Sequence, residues 1–84
     1  MYYLYLLQNA DDPDDFYIGH TGDLKRRYVE HNAGKVHATR GRRWKLIYYE
    51  AYHVLDAARD RERIMKHDGR TRRALMERIK RFLE

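Results

Sequence analysis

Five side chains in this 84-residue sequence have types and spacings suited to chemistry on a phosphate: Tyr5, Tyr17, Arg27, His31 and Glu62. Arg27 and His31 stand four apart, so on a helix they share a face. Tyr17, just before a glycine turn, is placed to point towards that face. Hydrolysis of a phosphodiester needs an activated water, neutralised charge on the phosphate and a route for the leaving oxygen. Arginine stabilises the developing charge. A carboxylate such as Glu62 can hold a divalent cation that assists attack and departure. A tyrosine with its ordinary pKa near 10 acts as a base only if a cation or a neighbouring base helps it, and His31 can assist there. Taken singly, each residue has a plainer reading. The tyrosines can be strand aromatics, Arg27 can pair with Asp23, His31 can be a surface histidine, and Glu62 can pair with an arginine from elsewhere.

The elements that must position these groups are legible in order. Tyr2–Leu7 is apolar and aromatic on both faces, the pattern of a central strand. Asn9–Asp15 is turn chemistry, and its four aspartates lack the glycine and final glutamate of an EF-hand loop. Phe16–Gly19 resumes an extended pattern, which predicts an antiparallel hairpin. A helix then follows over about Asp23–Asn32, capped by Thr21 or Asp23, with Leu24 and Tyr28 inward and Gly34 ending it. Lys35–Arg43 has no apolar period and reads as an exposed basic loop. Trp44–Tyr52 is a third strand. A second helix is expected from Asp56, as N-cap, to about His67, with Glu62 on its inward side among Leu55, Ala58 and Met65. Asp68–Thr71 breaks the chain. Thr71 is expected to cap a last helix with Leu75, Ile79, Phe82 and Leu83 on its apolar stripe. The sum is a single α+β domain over 1–84, in order ββαβαα, with a small three-stranded antiparallel sheet flanked by helices.

Composition bounds the function. Lys and Arg number 18 against 13 Asp and Glu, for a net charge of +5 and a pI of about 9.6. Lys35, Arg40, Arg42, Arg43 and Lys45 crowd one stretch free of acids. Together with Lys66, one turn beyond Glu62, they are the candidate nucleic-acid contacts. Arginine and eight tyrosines suit phosphate and base contacts. The absence of cysteine removes disulfides and thiolate zinc sites. No apolar run approaches a membrane span, and the polar stretch Gln8–Asp15 argues against a signal peptide. The expectation is a soluble, cytoplasmic protein without a membrane partner, its oligomeric state open with a monomer favoured.

These motifs resemble, in order and spacing, those of the GIY-YIG nucleases, in particular their small stand-alone, single-domain (URI-type) members. Tyr17-Ile18-Gly19 matches the second name-giving motif. Tyr3-Leu4-Tyr5 matches the first, with Tyr3 in place of the glycine. Thr21–Arg27 is similar to the family's helix start with its arginine, and His31-Asn32-Ala33-Gly34 to the His-Asn-x-Gly of the small members. Ala58–Glu62 resembles the helix that carries the metal-binding glutamate. His20 stands where several relatives have lysine or another residue. The asparagine that many larger members carry after the metal-binding helix has no counterpart, since none follows Asn32. The resemblance implies metal-dependent endonucleolytic hydrolysis of DNA. Tyr5 and Tyr17 would line the site, one as base or water-orienting hydroxyl. Arg27 would sit on the scissile phosphate, His31 would assist proton transfer, and Glu62 would hold one Mg²⁺ or Mn²⁺. A nucleic-acid-binding module on the same fold, with weak or partner-dependent cleavage, is the alternative.

Overall fold

A computed structural model describes residues 1–83. Two strands, β1 (Tyr2–Asn9) and β2 (Asp12–Thr21), form a hairpin closed by Ala10 and Asp11. Helix α1 (Leu24–Asn32), a single 3-10 turn (His37–Thr39), β3 (Trp44–Tyr52), α2 (Leu55–His67) and α3 (Gly69–Leu83) follow. The sheet is antiparallel in the order β2-β1-β3, so the strand that is apolar on both faces is the central one. The α+β fold expected from the sequence is the fold observed.

Alternation along β1 splits the interior in two. Leu4 and Leu6 face the helical layer, where they pack with Ile18, Met65, Leu75 and Ile79. Tyr5 and Leu7 face the other way, onto Trp44, Tyr17, Leu24, Tyr28 and Leu46. Helix α1 therefore lies on the tyrosine face and α3 on the leucine face. Burying each large side chain of the leucine face stabilises the fold by about 1.5–3 kcal/mol.

Local chemistry places several boundaries differently from the sequence expectation. β2 begins at Asp12, because Asn9 closes a tight turn by accepting the Asp11 N–H at 2.9 Å. The β1–β2 register then slips between Gln8 and Asn9, which lets Pro13 sit in a strand that its missing N–H would otherwise interrupt. Asp56 is not the N-cap of α2; it lies in the first turn, where its charge favours the helix N-terminus. Thr71 does not cap α3 either. Asp68 does, accepting from the N–H groups of Arg70 and Thr71 at 3.1 and 3.3 Å, which puts Thr71 inside the helix. Phe82, expected on the apolar stripe, is 87% exposed. Asp23, of the two candidates, caps α1 by accepting from Arg26 N–H at 3.1 Å.

Candidate active site

Tyr5 and Gly19 are directly opposite on β1 and β2, and this pairing creates the site. A Cβ at position 19 would lie 2.5 Å from the Tyr5 hydroxyl oxygen and 2.7 Å from its ring carbon Cζ. Only glycine leaves the Tyr5 phenol room to lie across β2. Tyr17, two residues earlier on the same strand face, brings its ring centroid within 6.3 Å of the Tyr5 ring and 4.9 Å of the His31 imidazole.

His31 is 1% exposed, a core residue rather than a surface histidine. Its Nε2 lies 2.7 Å from the Tyr5 hydroxyl and its Nδ1 lies 2.7 Å from Thr39 Oγ1. Thr39 is fully buried, and its hydroxyl hydrogen is directed to the Val36 carbonyl at 3.4 Å. The threonine lone pairs thus accept the His31 Nδ1–H, which leaves Nε2 unprotonated to accept the Tyr5 O–H. Burial, and then the positive charge of Arg27, hold the His31 pKa below its ordinary value, so the neutral ring is favoured. Burial pushes the Tyr5 phenol up to about 12, although Arg27 beside it pulls the other way. Tyr5 is therefore a protonated donor wired to a neutral base, not a resident phenolate.

Helix α1 supplies both Arg27 and His31, and it is fastened to β3 by side chains. Asn32 accepts the Trp44 N–H at 2.7 Å and donates to the Trp44 carbonyl at 3.1 Å. Tyr28 donates to that same carbonyl at 2.9 Å. Arg27 pairs with Glu30 at 3.4 Å, one turn on, rather than with Asp23. That half-exposed pair is weak, and it leaves the guanidinium able to meet a phosphate.

Glu62 enters from α2 along the β2 edge. Its carboxylate takes the Lys66 ammonium at 2.7 Å on one oxygen and contacts His20 Nδ1 on the other. Neither partner is an arginine, the plainer pairing that the sequence left open for Glu62. Burial works to raise the Glu62 pKa, but the hydrogen bonds from Lys66 and His20 outweigh it and keep the group ionised well into acid. Lys66 also stands 5.9 Å from the Tyr17 ring centroid, which ties α2 to the tyrosines. No group of three or more His, Asp or Glu side chains gathers around a common point among the described residues. One ionised carboxylate suits a hard cation that keeps most of its shell as water, as Mg²⁺ does; Glu62 would have to release Lys66 or His20 to hold one.

The basic stretch is more committed than its exposure in sequence implies. Arg42 pairs with Asp15 at 2.9 Å and lies over the Trp44 ring, and Arg43 pairs with Asp11 at 2.8 Å. Arg40 donates to the Gly34 carbonyl at 3.0 Å. Lys35 and Lys45 are exposed. Two of the loop's four aspartates are thus ion-paired to the basic stretch, and the segment works partly as a strap from the hairpin to Trp44.

The model of the GIY-YIG catalytic domain matches residues 1–80. This chain belongs to the GIY-YIG family. Among curated proteins it is similar to a UPF0213 protein of Streptococcus pyogenes serotype M5, with 42% identity over 68 residues, covering 76% of this chain and 70% of the relative. A UPF0213 protein of Haloquadratum walsbyi is 37% identical over 67 residues, covering 77% and 73%. A UPF0213 protein of Bacillus halodurans, solved by solution NMR, superposes with a TM-score of 0.56 at 32% identity, covering 92% of this GIY-YIG chain and 84% of the other.

Sequence reasoning missed two members of this GIY-YIG site. Thr39 lies in a stretch without apolar period, and a lone buried threonine leaves no periodic mark. His20 was visible only as a departure from lysine; its contact with Glu62 spans 42 positions. No helix among the described residues is long and apolar enough to cross a membrane.

Proposed function

We propose that this GIY-YIG domain is a metal-dependent endonuclease that hydrolyses DNA phosphodiester bonds with little sequence specificity. The observation that carries the reading is the hydrogen-bonded run Tyr5–His31–Thr39 beside Arg27, in which His31 Nε2 faces the Tyr5 hydroxyl. Tyr17, half-exposed, orients the attacking water. That water loses a proton to the Tyr5 oxygen as the Tyr5 proton passes to His31 Nε2, so no free phenolate accumulates. The water oxygen forms the new bond to phosphorus, the bond to the leaving oxygen breaks, and solvent protonates that oxygen. Arg27 neutralises charge on the non-bridging oxygens, and Thr39 keeps its acceptor on Nδ1–H while the imidazolium exists. Glu62 would hold the Mg²⁺ or Mn²⁺, which supplies Lewis-acid stabilisation of the leaving oxygen when bound.

One observation favours a second reading. Both Glu62 oxygens already have partners, the Lys66 ammonium and His20 Nδ1, which fits a nucleic-acid-binding module that cleaves weakly or only with a partner. Incubation of labelled DNA with the wild-type chain and with Glu62→Gln, with and without Mg²⁺ or Mn²⁺, separates the two. Metal-dependent products from the wild type alone are expected. Salt-sensitive binding without products would favour the module, and products from both chains would remove Glu62 from the chemistry.

A further inference from the structure

Beside the site, on the same sheet face, runs a groove of about 570 Å³ that the proposed chemistry does not use. Leu24 and Leu46, packed against the Tyr5–Leu7–Trp44 cluster, line it together with the rings of Tyr3, Tyr28 and Tyr49. Tyr49 is directly opposite Tyr5 across the β1–β3 ladder, on the side away from Gly19. One strand spacing, about 4.8 Å, therefore separates the backbone at Tyr49 from that at Tyr5.

The groove is built from rigid parts. The Tyr28 hydroxyl is held by the Trp44 carbonyl, and Tyr3 meets Tyr49 edge to face with centroids 5.9 Å apart. Yet Tyr49 remains 55% exposed, an unusual amount for a large aromatic ring on a covered sheet face. The acid in the lining, Asp23, has its carboxylate turned onto the Arg26 N–H. Lys25, also in the lining, is exposed and adds a cation to it. Aromatic rings, apolar side chains and an exposed cation are what a nucleobase on a charged strand requires.

We propose that this groove binds one unpaired nucleobase of the DNA strand, next to the phosphate held at Arg27. A base inside a duplex is already stacked on both faces and paired along its edge, so it cannot enter such a groove without being extruded. The groove thus makes single-stranded or locally unpaired DNA the preferred substrate. This deepens the phosphodiesterase reading and rests on it for the placement of the phosphate.

The test is binding without divalent metal, so that no cleavage intervenes. An oligothymidylate and a blunt DNA duplex are titrated into the wild type, Tyr49→Ala and Tyr49→Trp. Tyrosine ring resonances are followed by NMR, whose dispersion also reports that each variant is folded. The oligothymidylate is expected to shift the Tyr3, Tyr28 and Tyr49 rings. Tyr49→Ala should weaken its binding about tenfold, Tyr49→Trp should retain it, and duplex binding should not respond to either change. Equal single-strand affinity of wild type and Tyr49→Ala, no shift at these rings, or an equal loss with duplex would each overturn the groove assignment. Tyr49-dependent binding without metal-dependent cleavage would instead overturn the phosphodiesterase reading alone.

Discussion

The two faces of the sheet are built by opposite rules from the same strand. On one face, the fully buried centre is apolar, Leu4 and Leu6 meeting Ile18, Met65, Leu75 and Ile79. The polar atoms there, Glu50 bonded by Tyr48, Tyr52 and Arg61, lie in the half-buried shell around it. On the other, Tyr5, His31 and Thr39 are buried just as deeply but carry polar atoms, each with a partner. The apolar face tolerates changes of shape at a cost that scales with the volume removed. The tyrosine face is specified by direction: each hydrogen bond decides which atom the next one can use. Stability is held mainly by the first face, and proton placement by the second.

Changes at the phosphate-handling groups, where the second face meets the β2 edge, should have the largest effects. Glu62→Gln keeps the shape of the side chain but removes its charge. Cleavage should fall by about 100- to 1,000-fold, with thermal stability nearly unchanged, as read by cleavage rates and melting curves on the same preparation. Gly19→Val forces the Tyr5 phenol off its place, since even a Cβ is 2.5 Å from the hydroxyl oxygen. Loss of activity there should come with a changed His31 imidazole ¹⁵N spectrum, the signature of a broken Tyr5–Nε2 bond.

The contrast sharpens with one change on each face. Met65→Ala should cost about 2–5 kcal/mol in denaturant unfolding, while the rate per folded molecule is retained. Thr39→Val should cost about 1–3 kcal/mol by stranding the His31 Nδ1–H, and it should also shift the imidazole tautomer; Thr39→Ser should restore the tautomer. If Thr39→Val leaves the ¹⁵N tautomer signature unaltered, the directional account of this face is wrong.

Acid should act on the second face first. The folded His31 pKa lies below the unfolded value near 6.5. Above pH 6.5 both states are neutral there. Below it the unfolded chain takes up a proton that the folded chain resists, so this contribution to stability is lost as pH falls. Melting temperature should therefore decline from pH 7 to pH 5, and His31→Gln should flatten that slope. The Glu62 pKa is also lowered on folding, so its contribution is lost only at still lower pH. Smallest of all, Phe82→Ser should change stability by no more than about 0.5 kcal/mol, since the ring is almost wholly in solvent.

Much of this was legible without coordinates. The double-sided apolar run marked β1 as central, Trp44–Tyr52 marked β3, and the four-residue step placed Arg27 and His31 on one helix face, because these signals are local and periodic. The start of α3 was misread because Asp68 and Thr71 both suit a cap and only the folded backbone chose Asp68. The start of α2 was misread because its N-cap, Val54, makes no side-chain cap to recognise. Residue types and their order were sufficient to indicate the family and the five candidate side chains. Tertiary structure alone decided their partners: His20 on Glu62, Thr39 beneath His31, the Tyr5 hydroxyl over Gly19, and the open tyrosine groove beside them. Those pairings join segments far apart in the chain, and they depend on sheet register and helix docking. A sequence can announce its periodicities, but the direction of a hydrogen bond exists only once the chain has closed around it.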